Sequence, residues 1–256
     1  MSDVIRIGNC SGFYGDRLDA AREMVEGGPI DVLTGDYLAE LTMSILYNQQ
    51  RTRGEDTGYV GTFLKQVKDV AALCNEKNIK IVTNAGGLNP KSMAVEVEKI
   101  LAELGVELKV AYIDGDDLLS NLDQLQSDGE LFTNLDTQQD LKDTDQTALT
   151  ANAYLGGWGI KEALDQGADI VICPRVTDAA VVIGPAAWKF NWQRNDYDAL
   201  AGALAAGAYG AQAGDAFGTP AGGACGAQAA GGGFGSHASG AHGATTGGAY
   251  GAQQQL

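Results

Sequence analysis

Ile79-Lys80-Ile81-Val82-Thr83-Asn84-Ala85-Gly86-Gly87-Leu88-Asn89-Pro90 decides the fold. Ile79 to Val82 has the short apolar character of a buried strand, and the loop that follows is closed by a well-marked helix start. Asn89 is placed to cap that helix, and Pro90 at its first position loses no needed N–H. Gly86 and Gly87 permit backbone approaches that a Cβ would block. A strand that opens through glycines into a helix is the unit of an α/β fold. In such sheets ligands sit beyond the carboxyl ends of the strands, so this loop either meets a ligand or is a plain connection.

Working outward, the same unit recurs. Val4 to Ile7 reads as a first strand, followed by Gly8-Asn9-Cys10-Ser11-Gly12-Phe13-Tyr14-Gly15-Asp16-Arg17 and a helix from Leu18 to Glu26. This loop lacks the G-x-G-x-x-G dinucleotide spacing; it is either an anion cradle at a helix start or a glycine-rich connection. Ile30 to Leu33 is a second strand, leading through Asp36 to a helix from Leu38 to about Tyr47. Asp36 is there either a helix cap or a chemical group. Asn48 to Gly58 reads as a surface loop, and Phe63, Val67, Val70, Ala71 and Cys74 recur at helical spacing within a helix from about Tyr59 to Lys77. The helix after Pro90 carries Val95, Val97, Ile100, Leu101 and Leu104, and Gly105 ends it.

Leu108 to Ile113 is the fourth strand and delivers Asp114-Gly115-Asp116-Asp117 at its end. Carboxylates this close repel one another unless compensated. They either hold a divalent metal or form an acidic turn that caps a helix at Leu118. Asp123 to Asp145 is an exposed polar excursion. Trp158, among glycines, suits a pocket wall or a core corner. Ala168 to Cys173 is the fifth strand and presents Pro174-Arg175-Val176-Thr177-Asp178. The Arg175 guanidinium matches carboxylate or phosphate in a fixed fork; the alternative is an internal salt bridge to Asp178 or another strand-end acid.

These elements predict an α/β chain: a mostly parallel sheet with flanking helices in three layers, Rossmann-like, over residues 1–200. From 201 to 256 the composition changes, with 17 glycines and 18 alanines among 56 residues and no lysine or arginine. Alanine buries too little apolar area to offset the entropy of ordering, so this low-complexity tail is expected to be disordered. A formal charge of −16 argues against nucleic acid or an anionic membrane as partner. No apolar run is long enough for a membrane span and the start lacks a signal-peptide layout, which predicts a soluble, cytoplasmic protein. Cys10, Cys74, Cys173 and Cys225 are scattered without C-x-x-C spacing and read as reduced thiols.

Both histidines, His237 and His242, lie in the tail. Acid and base in the first 200 residues must therefore come from other side chains, which excludes a Ser-His-Asp triad there. A carboxylate-centred site remains, with Asn84, Arg175 and loop amides as donors. It would suit proton transfer next to a carbonyl, metal-assisted cleavage or phosphate binding.

The motifs resemble those of the acyclic terpene utilisation family, the AtuA-like proteins. The likeness lies in Arg6 to Arg17, Gly28 to Glu40, Asn84 to Pro90, Ala151 to Ile160 and Arg175 to Asp178, and covers residues 4 to about 203. The resemblance implies catabolism of branched terpenoid acids as CoA thioesters, by a lyase- or hydratase-type step beside an acyl-CoA carboxylase. The resemblance assigns no roles; the place of Asp36, Asn84 and Asp178 at strand-to-helix junctions makes them the catalytic candidates, and Asn9, Gly12, Tyr14, Gly86, Gly87, Arg175 and Trp158 are the candidates for binding an anionic acyl-CoA. A divalent metal on Asp114, Asp116 and Asp117 is the cofactor to be considered. The family continues as structured sequence, whereas Cys225-Gly226-Ala227-Gln228 stands here among glycines and alanines, so a missing second half is expected. The alternatives to an enzyme are an accessory or scaffold partner of the carboxylase and an inactive, truncated domain.

Overall fold

The computed structural model of the chain describes residues 4–216 and 227–230. Its strands are β1 (Val4–Asn9), β2 (Val32–Gly35), β3 (Lys80–Thr83), β4 (Val110–Tyr112), β5 (Ile170–Ile172) and β6 (Ala227–Ala230). The helices are α1 (Ala20–Gly27), α2 (Glu40–Arg53), α3 (Gly61–Lys77), α4 (Pro90–Leu104), α5 (Leu122–Ser127), α6 (Trp158–Asp165), α7 (Ala180–Phe190) and α8 (Tyr197–Ala216). The sheet order is β4-β5-β3-β2-β1-β6. The first five of these strands run parallel, and β6 lies antiparallel on β1. The fold is the expected α/β architecture.

Strand alternation builds the three layers. Leu33, Ile81, Ile170 and Ile172 face one core with α1, α2, α3 and α4, while Val32, Val82 and Val171 face the other with α6, α7 and α8. Successive side chains of a strand point to opposite faces, so three apolar residues in a row are what a doubly covered strand needs. The helix after Pro90 starts and stops as its residues dictate. Asn89 Oδ1 accepts the Ser92 amide at 3.0 Å, and Gly105 ends the helix at φ +64°.

The chain reverses at the fourth strand. From β3 it passes through α4 on the first face to β4, then returns through α6 on the second face to β5, which inserts between β3 and β4. The loops leaving β3 and β5 therefore part to opposite faces of the sheet. In open α/β sheets it is beyond the carboxyl ends of such neighbours that ligands bind.

One expectation needs correction. The surface loop from Asn48 begins later, because α2 continues to Arg53 and stops at Gly54, whose φ of +111° suits glycine. The excursion from Asp123 to Asp145 has no buried residue, as expected, and carries most of α5 and a short 3-10 turn at Leu141–Asp143. α8 spans residue 200, where the composition changes: alanine is the strongest helix former, and Ala203 is buried against the second core. Of the expected tail, residues 217–226 and 231–256, with Cys225, His237 and His242, lie outside the described residues. No helix among the described residues is long and apolar enough to cross a membrane.

Candidate functional site

Asn84, at the end of β3, is fully buried, and both ends of its amide are engaged within the chain. Its Oδ1 accepts the Tyr37 amide at 2.8 Å, and its Nδ2 donates to Asp36 Oδ1 at 2.6 Å. Asp36 follows β2, and its own amide donates to Ser11 O at 2.9 Å, tying the loop after β1 to the same place. Burial, reinforced by the charge of Asp178, pushes the Asp36 carboxyl up to about 6, against the opposing pull of Asn84, Arg175 and the Leu38 amide. Asp36 thus titrates close to neutral pH.

Arg175 arrives from the end of β5 and is 6% exposed. Its Nη1 donates to Leu38 O at 3.0 Å and to Asp178 Oδ1 at 3.4 Å, and its Nη2 lies 3.6 Å from Glu40 Oε1. The internal ion pair weighed from the sequence is present, then, and Glu40 shares it. The Tyr154 ring covers the guanidinium, with 4.2 Å from its centre to Cζ, and the Tyr154 hydroxyl donates to Glu40 Oε1. That bond holds the Glu40 carboxyl below its usual range.

Asp36, Asn84, Arg175 and Asp178 are brought together at the carboxyl ends of the strands. Other candidates serve the frame around them. Asn9 Nδ2 donates to Ser11 O at 2.9 Å, and the Tyr14 hydroxyl accepts from Gln49 at 3.2 Å. The Gly12 amide donates to Asp16 Oδ2 at 3.0 Å, so a carboxylate of the chain itself occupies the loop read as an anion cradle. Gly86 and Gly87 are close approaches. A Cβ on Gly86 would stand 2.6 Å from Cys173 O, and one on Gly87 2.3 Å from Leu46 Cδ1. Trp158 turns to a different cation, with Arg194 Cζ 5.1 Å from the centre of its ring system.

The acidic turn does not assemble a metal site, and no such group of His, Cys, Asp or Glu occurs among the described residues. Asp117 Oδ1 accepts the Leu119 amide at 2.9 Å, as a turn-capping acid does. Asp116 points inward instead: its Oδ2 accepts from Asn152 Nδ2 at 2.9 Å and from the Arg175 amide at 3.2 Å. Asp114 does not join it. Cys10, Cys74 and Cys173 are buried free thiols; burial pushes Cys10 up to about 12, which leaves it protonated and unreactive.

Glu40 and Tyr154 are the site residues that the sequence reading passed over. Glu40 has the sequence signature of an ordinary first-turn acid of a helix, and no neighbour of Tyr154 in the sequence marks it as the partner of a distant arginine. Two motifs that share no local geometry met at one guanidinium.

A family model described as acyclic terpene utilisation family protein AtuA matches residues 5–244. The match runs past the limit near 203 expected from the motifs. No curated protein and no solved structure matches the chain.

Proposed function

The chain belongs to the acyclic terpene utilisation family, and on that premise we propose that it binds a branched terpenoid acyl-CoA at the carboxyl ends of β3 and β5 for a lyase- or hydratase-type step. The observation that carries this reading is the meeting of Asp36, hydrogen-bonded to Asn84, with the Arg175 guanidinium at the strand ends. A carboxyl that titrates near 6 passes between acid and base at neutral pH, so Asp36 exchanges the proton beside the substrate carbonyl. Asn84 acts through Asp36, fixing its orientation. The Asp178 side chain is 64% exposed and its bond to Arg175 is long, so the thioester oxygen of the substrate, which gains negative charge as the neighbouring proton is exchanged, displaces it from the guanidinium. The surrounding carboxylates repel phosphate, which keeps the CoA portion at the rim and admits the acyl portion.

Calorimetric titration with the CoA thioester of citronellic acid tests this. Saturable heat is expected, about tenfold weaker binding for Arg175→Met, and retained binding without turnover for Asp36→Asn. No heat from folded protein overturns the proposal.

A second reading, an accessory partner of an acyl-CoA carboxylase, is favoured by one feature. Leu41 and Ile45, one turn apart on α2, are 69% and 39% exposed. Co-elution with the carboxylase, lost on Leu41→Glu, supports it; separate elution removes it.

A further inference from the structure

Arg175 is held from several directions. The Leu38 carbonyl and Glu40 approach from the start of α2, Asp178 from its own turn, Asp36 from the end of β2, and the Tyr154 ring from residues 151–155. That last segment is itself fastened along both sides. The Ala153 amide donates to Asp116 O at 2.7 Å and the Leu118 amide to Ala151 O at 2.7 Å on one side. On the other, Leu155 donates to Arg175 O at 3.2 Å and Thr177 to Leu155 O at 2.9 Å. Asp116 ties the two sides together through Asn152 and the Arg175 amide.

The Tyr154 ring meets the guanidinium face while its hydroxyl binds the same Glu40 oxygen that pairs with Arg175 Nη2. Stacking on an aromatic face and pairing with a carboxylate fix a guanidinium in plane and in rotation, where packing alone would leave it free to turn. We infer that Tyr154 and Glu40 are positioning residues that brace the Arg175 guanidinium beside Asp36, with one edge presented at Asp178 for a substrate oxygen. The bracing stands on the geometry; the substrate's use of that edge rests on the function proposed above.

The test has two arms. In the protein alone, the Asp36 carboxyl is titrated by carbon-13 NMR. The charged groups facing it are Asp178, which raises its midpoint, and Arg175, which lowers it. Releasing the guanidinium in Tyr154→Leu raises the Asp36 midpoint by about half a pH unit or more, a threefold change in proton affinity. Tyr154→Phe keeps the stack, loses the bond to Glu40, and moves it by less in the same direction; Arg175→Met sets the upper limit. If both Tyr154 variants keep the parent midpoint, the brace is overturned. Should Tyr154→Leu fail to fold, the near-isosteric Tyr154→Phe decides alone: a rise supports the brace and an unchanged midpoint overturns it. In the second arm, the CoA thioester of citronellic acid binds Tyr154→Phe more weakly than the parent, by roughly threefold or more. Equal affinity overturns the substrate's use of the presented edge. No binding by the parent overturns that use together with the proposed function, and the titration still judges the brace.

Discussion

At the scale of single residues, Asp36 carries a cost that the fold tolerates. Its carboxyl ionises near 6 in the folded chain and near 3.8 when exposed. Its contribution to stability is therefore fully present below the exposed value and is lost as pH rises through the folded one. Partial exposure discounts the shift, leaving about 1–3 kcal/mol at stake. Asp36→Asn keeps an acceptor for Asn84 and removes the charge. It is expected to be more stable than the parent at pH 8 by about that amount and equal to it at pH 3.5. Urea unfolding at both pH values measures this, and a difference independent of pH would count against the assignment. Asp36 was legible in the sequence as an acid at a strand-to-helix junction. Whether it was a cap or a chemical group was not, because that depends on Asn84, Arg175 and Asp178, which come from distant segments.

At the scale of elements, the turn after β3 separates local from non-local demands. Asn89 serves its own helix, and Asn89→Ala is expected to cost about 1 kcal/mol through the lost cap. Gly86 serves the sheet. A Cβ there would meet Cys173 O at 2.6 Å and Pro90 Cβ at 2.7 Å, and neither is a flexible side-chain end. Gly86→Ala is expected to cost about 1–3 kcal/mol. It should also push apart the loops after β3 and β5, which the Gly86 amide joins to Cys173 O at 3.1 Å. Denaturant midpoints for both variants, with citronellyl-CoA titration of each, distinguish them: Asn89→Ala loses stability alone, Gly86→Ala loses stability and binding. The cap was readable because Asn89 and Pro90 act within one turn. The two glycines were recognised as close approaches, but the backbone they approach was not.

At the scale of the molecule, β5 between β3 and β4 locks two halves of the chain into one sheet. The excursion that joins β4 to β5 is exposed, and Lys142 stands in it with 57% of its side chain accessible. Trypsin is expected to cut first after Lys142, since exposed loop tips are preferred sites of nicking. The fragments should still co-elute under native conditions, because the later one supplies the strand that both neighbours pair with. Fragments that separate would refute this strand order. The sequence by itself determined the five parallel strands and the helices that follow the first three, where α4 begins and ends, and that the sheet is covered on both faces. Those properties follow from alternation, helical period and caps, which act over a few residues. Only the tertiary structure decided that β5 returns between β3 and β4, that Asp116 turns inward, and that Glu40 and Tyr154, 114 positions apart, meet at Arg175. Such meetings depend on how whole layers pack, and no short window of residues contains that information.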